Sequence, residues 1–176
     1  DYRLLSQGGW GVLCGWDNDP RNNLPSRYEK ICGLAAGEMN EKLGAGKPYD
    51  FRSWIPDAII VNLGTNDASA FEQPEWTDPV TGQSFKQHKE PDGSCRPEDL
   101  ARFKQAVIDF LSMLRRNNPT SHIVWTYGML GYDLTFAITD AMNSYQKAAG
   151  DLNIAFHQLP NTTELTVGSH AHPGEK

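Results

Sequence analysis

Pro56-Asp57-Ala58-Ile59-Ile60-Val61-Asn62-Leu63-Gly64-Thr65-Asn66-Asp67 is a β-branched apolar run between a proline-aspartate stop and a glycine. The run from Ala58 to Leu63 is continuous rather than alternating, which is the pattern of a strand buried on both faces. It is therefore read as the central strand of a parallel sheet. Working outward, Leu100, Phe103, Ala106, Val107, Phe110, Leu111 and Leu114 recur at helical spacing. Pro97, Glu98 and Asp99 supply a start signal and Asn117-Asn118-Pro119 a stop. His122 to Tyr127 reads as a second strand, Thr135 to Ala149 as a helix ending at Gly150, and Asn153 to Leu159 as a third strand. Strands alternating with helices predict an α/β domain around a parallel sheet.

Upstream, Tyr2 to Ser6 alternates weakly and runs into Gln7-Gly8-Gly9-Trp10-Gly11, so a short strand ending in a glycine-rich turn is expected. A polar loop, Asp17-Asn18-Asp19-Pro20, precedes a possible short helix from Pro25 through Cys32. Residues 68 to 96 hold Pro74, Pro79, Gly82, Pro91 and Gly93 with little periodicity, and read as a long excursion over the sheet edge.

The 176 residues carry a formal charge of −6 and are 39% apolar, which fits one globular domain, residues 1–176. Lysines and arginines are scattered, with only Arg115-Arg116 adjacent, so no basic stripe tracks a nucleic-acid backbone. The longest apolar stretch is too short to span a bilayer. The three cysteines, Cys14, Cys32 and Cys95, lack metal-ligand spacing. A Cys14–Cys32 disulfide and three buried thiols both remain open. No glycine-rich loop opens a helix in the dinucleotide pattern, so no cofactor is expected.

In an open parallel sheet, ligands bind beyond the carboxyl ends of the strands. Three segments sit at such ends: Gly8-Gly9-Trp10-Gly11, Gly64-Thr65-Asn66-Asp67 and Gly168-Ser169-His170-Ala171-His172-Pro173. An ester hydrolase needs donors for an oxyanion and a base for its nucleophile. Gly9 can offer a backbone N–H, Asn66 an amide donor, and a loop histidine the base.

These segments resemble three blocks of the SGNH (GDSL-type) hydrolases. Ser6 to Val12 is similar to the second block, Gly64-Thr65-Asn66-Asp67 after Pro56 to Leu63 to the third, and His172-Pro173 to the fifth. Asp50-Phe51, Trp54 and Pro56-Asp57 are similar to the acetyl-ester carbohydrate esterases of family two. The resemblance implies a three-layer α/β sandwich of flavodoxin-like type with its first strand outside this chain. It implies removal of O-acetyl groups from carbohydrate through an acyl-enzyme. Gly9 and Asn66 would be the oxyanion donors and His172 the general base, with His170 as possible support and Asp67 tying down the loop that carries Asn66. Trp10, Trp16 and Trp76 would stack on sugar rings.

The Gly-Asp-Ser first block occurs nowhere in the 176 residues. The nucleophile is therefore expected upstream of Asp1, and the chain alone is expected to be inactive. The aspartate that the family commonly places just before the histidine is absent too, which implies a Ser–His dyad supported by a backbone carbonyl. The implied partner is an acetylated polysaccharide or oligosaccharide, with neither nucleic acid nor membrane, for an exported protein that has a possible additional N-terminal domain. Two other readings are an esterase or lipase on other small acyl esters, and a carbohydrate-binding domain without catalysis.

Overall fold

The structure is a computed structural model that describes residues 1–34, 37–169 and 172–174. Its elements in chain order are α1 (Pro25–Tyr28), α2 (Glu38–Lys42), a 3-10 turn (Phe51–Ser53), β1 (Ala58–Asn62), α3 (Thr65–Ala70), β2 (Trp76–Thr77) and β3 (Ser84–Phe85). There follow α4 (Pro97–Asn117), β4 (His122–Gly128), α5 (Thr135–Ala149) and β5 (Ile154–Leu159). The three-stranded sheet has the order β1-β4-β5 and every pairing in it is parallel. Ala58 stands opposite His122 and Ile123 opposite Ile154, which fixes the register. Helices flank this sheet, as an α/β protein requires.

Inward-facing residues alternate along β4: Ile123, Trp125 and Tyr127 are buried on one side of the strand. Against them α4 sets Phe103, Val107, Phe110, Leu111 and Leu114, and α5 sets Ala137, Ile138, Ala141 and Met142. Phe110 meets Trp125 edge-on at 6.3 Å between ring centroids. The Trp125 indole N–H, which would otherwise be a buried orphan, donates to the Leu63 carbonyl at 3.1 Å. Pro97 at the first turn of α4 and Gly150 in a left-handed conformation after α5 close the helices where the sequence places its signals.

Arg115 in the last turn of α4 joins three elements. Its guanidinium donates to Asp151 at 2.7 Å, to the Asn118 carbonyl at 3.0 Å, to Ser121 at 2.7 Å and to Asn153 at 3.2 Å. The C-terminal end of α4 and the starts of β4 and β5 are thus held by one side chain.

Four expectations are corrected. Among the described residues β4 holds the middle of the sheet and β1 borders it, so β1 is not central. Its Ile60 is 64% exposed, because α4 and α5 cover only the face that carries Val61. Tyr2 to Ser6 forms no strand: it has no ladder partner among the described residues, and Tyr2, Leu4 and Leu5 are exposed. The cysteines are free and Cys32 is exposed, so neither the Cys14–Cys32 bridge nor three buried thiols describes them. The excursion over 68–96 contains most of α3 and the β2-β3 hairpin, which pairs Trp76 with Phe85.

Candidate active site

β1 ends at Asn62, and Gly64 (φ 124°) turns the chain into α3. This places Asn66 and Asp67 at the carboxyl end of the strand, where ligands of parallel sheets bind. Asp67 is fully buried. Its two carboxylate oxygens accept from the backbone N–H of Val12 at 2.9 Å, of Leu13 at 2.8 Å and of Cys14 at 3.3 Å. Burial pushes the Asp67 carboxyl up from its ordinary range, and these three N–H groups pull against that push.

The clamp requires close backbone approach. A Cβ on Gly11 would stand 2.3 Å from Asp67 Oδ2 and 2.3 Å from the Cys14 carbonyl oxygen, so only glycine fits there. The glycine-rich turn and the Asn66 turn are therefore locked together. A second tie comes from Asn66 itself, whose Nδ2 donates to the Trp10 carbonyl at 2.8 Å. Sequence reading gave Asp67 the loop that carries Asn66; the structure joins Asp67 to the loop that follows Gly9.

Gly9 has φ 80° and its carbonyl accepts from the Trp16 N–H at 2.9 Å. The half-exposed Trp16 indole lies beside it: a Cβ on Gly9 would be 2.9 Å from Trp16 Cδ1. Trp10 is partly buried with the Arg27 guanidinium 5.8 Å from its ring centroid. Trp76 stands on β2 under the Arg21 guanidinium at 4.8 Å. Gly9, Trp10, Trp16, Asn66 and Asp67 are thus brought to one place, while Trp76 belongs to the hairpin.

His172 is exposed on a loop of its own. Its carbonyl accepts from Gly168 N–H at 2.6 Å, its N–H donates to Ser169 at 3.1 Å, and Val167 bridges Pro173. The proline holds the preceding backbone extended, which steadies the imidazole. His170 lies outside the described residues. No group of three His, Cys, Asp or Glu side chains suited to a metal is found among the described residues.

Two residues under the site escaped the sequence reading. Asn18 is fully buried at φ 66°; its amide donates to the carbonyls of Ala70 at 2.8 Å and Pro74 at 3.0 Å, and its oxygen accepts from Gln87 N–H at 2.9 Å. Gln87, also fully buried, donates to the Asp67 carbonyl at 3.1 Å and to Cys14 Sγ at 3.4 Å. Burial, and then the Asp67 charge, push the Cys14 thiol up, so it is an inert packing group. An asparagine inside a polar Asp-Asn-Asp-Pro loop has no periodicity that would mark it as a hub.

No family model matches the chain. Among solved structures, an acetyl xylan esterase (Est2A) from the rumen bacterium Butyrivibrio proteoclasticus is 59% identical and superposes with a TM-score of 0.96, over 99% of this chain and 47% of that one. The fold is that of the carbohydrate esterases. A family two carbohydrate esterase from Clostridium thermocellum in complex with cellohexaose shares the fold at 24% identity and a TM-score of 0.66, over 94% of this chain and 42% of that one. The cellulase/esterase CelE of Acetivibrio thermocellus is 28% identical over 97% of this chain and 17% of its own length. The chain spans less than half the length of each of these relatives.

Proposed function

We propose that this chain is the larger part of a serine esterase domain of the SGNH type that removes O-acetyl groups from carbohydrate in an exported protein. The nucleophilic serine belongs to a Gly-Asp-Ser segment outside these 176 residues. The observation that carries the reading is the joining of the Gly9 turn to Asn66 through the Asp67 clamp, in a chain with the fold of carbohydrate esterases.

In this scheme His172 takes the serine proton as the serine oxygen attacks the acetyl carbonyl. The negative charge that develops on the carbonyl oxygen is held by the Gly9 N–H and the Asn66 amide. An asparagine amide carries two N–H donors, so the one bonded to Trp10 orients the group and the other faces the reaction. Collapse expels the sugar alcohol, which leaves with the proton from His172. Water, activated by the same histidine, then releases acetate and restores the serine. The exposed Trp16 indole beside Gly9 supports the sugar ring.

The complete protein tests the base. His172→Ala should abolish most turnover of an acetylated sugar, while His170→Ala should keep it within about tenfold, a change of about 1.4 kcal/mol in the barrier. The reverse pattern would move the base to His170.

A further inference from the structure

Beside the site lies a cleft of about 330 Å³ that no residue of the proposed chemistry lines. This is at the small end of the roughly 300–1,000 Å³ usual for ligand pockets. One wall is a single face of α3 and its continuation: Thr65, Ala68, Ser69 and Glu72 stand at the i, i+3, i+4 and i+7 positions that share a helix face. Asn66 and Asp67 leave the same helix on its other side, toward Trp10 and residues 12–14. The cleft is therefore about one helix width from Asn66.

Its opposite walls come from two loops. Lys89 to Cys95 folds on itself, with Lys89 bridging Cys95 and Glu90 N–H donating to Ser94 at 2.8 Å. The segment after β4 brings Leu130, Asp133 and Leu134. Lys89 pairs with Glu72 and also feels the charge of Asp133. The cleft thus offers one ammonium, two carboxylates and the hydroxyls of Thr65, Ser69 and Ser94, around the apolar surface of Phe71 and Leu134.

We infer that this cleft is a second sugar subsite, which takes one neutral ring of the polymer next to the acetylated residue. The inference rests on the carbohydrate-esterase reading above. Two carboxylates against one already paired ammonium repel an anion. Carboxylates accept from ring hydroxyls, the ammonium donates to them, and an apolar floor receives the C–H face of a pyranose. The small volume suits one ring, and the neighbouring helix face sets it beside Asn66.

The test uses the complete protein, two variants and two readouts. Lys89→Met/Asp133→Asn removes the polar groups, and Ser94→Trp fills the cleft from an exposed position. Both should raise KM for an acetylated oligosaccharide at least tenfold while kcat on p-nitrophenyl acetate stays within twofold. Calorimetric binding of xylobiose, which has no ester to cleave, should weaken by a similar factor in both. An unchanged KM together with unchanged xylobiose binding in both variants would overturn the subsite. Tighter binding of an amine-bearing disaccharide than of xylobiose would overturn its assignment to neutral sugars. If the unaltered complete protein cleaves no acetyl ester yet binds xylobiose in a variant-sensitive way, the esterase reading fails and the subsite stands.

Discussion

Asn66 has one amide hydrogen engaged with the Trp10 carbonyl and a second one to give. In the complete protein Asn66→Ala removes both, so the oxyanion donor and the tie to the glycine turn disappear together. The expected cost is roughly 3 kcal/mol in the transition state, read in kcat rather than KM. Steady-state kinetics on p-nitrophenyl acetate check this, with circular dichroism to verify folding. Asn66→Asp keeps the size and an oxygen toward solvent but supplies no N–H, so it should be as inactive as the alanine variant. An Asn66→Ala enzyme with unchanged kcat would remove Asn66 from the chemistry.

Among the elements, α4 carries an acid-sensitive fastening at its first turn. Asp99 is buried and accepts from His88 N–H at 2.6 Å and His88 Nδ1 at 2.8 Å, with Arg102 on its other oxygen. Burial alone would push its carboxyl up, but the bonds from His88 and Arg102 outweigh that and hold it below the usual range. A carboxyl held below its unfolded value of about 3.9 stabilises the fold above that pH, and the contribution is lost as pH falls through the lower folded value. Asp99→Asn should therefore cost about 1–3 kcal/mol at neutral pH. Thermal melts should show the gap to the unaltered protein closing below about pH 4.

The same element shows what the sequence conveys. α4 and α5 were legible because seven apolar residues at helical spacing can face only one way, and because Pro97 and Gly150 mark their limits. β4 and β5 were legible as apolar runs. The middle of the sheet was not: β1 has the most continuous run, yet position in a sheet depends on which strands pair, and no local pattern encodes that. The weak alternation of Tyr2 to Ser6 met no ladder partner, and β2 and β3 have two residues each, too few for a period. In the site, Gly9, Asn66 and Asp67 were legible as glycine and amide chemistry after strands. Asn18, Gln87 and the cleft walls at Lys89 and Asp133 were not, since each gains meaning only from residues far away in the chain.

At the scale of the whole molecule, the described residues assemble an oxyanion pocket and a sugar-facing surface around a reaction that lacks its nucleophile. The purified 176-residue chain should therefore hydrolyse p-nitrophenyl acetate no faster than a small residual rate over water. A specific activity equal to that of the complete protein would show that a serine within the chain serves as nucleophile. Adding the remainder of the protein in trans should raise the rate if the two parts dock.

The Asp67 clamp grips main chain, and this has a consequence for how the protein can drift. Its bonds end on the N–H groups of residues 12, 13 and 14, not on their side chains. Residue identity there is filtered by packing alone, with one exception: proline has no N–H to give. In a saturation library scored for survival of the fold, Leu13, which is only partly buried, should accept polar and apolar replacements alike and be depleted of proline. Gly11, one step before the clamp, should accept nothing else at all. The turn would then leave a lineage record of a fixed glycine followed by letters that change freely around an invariant backbone.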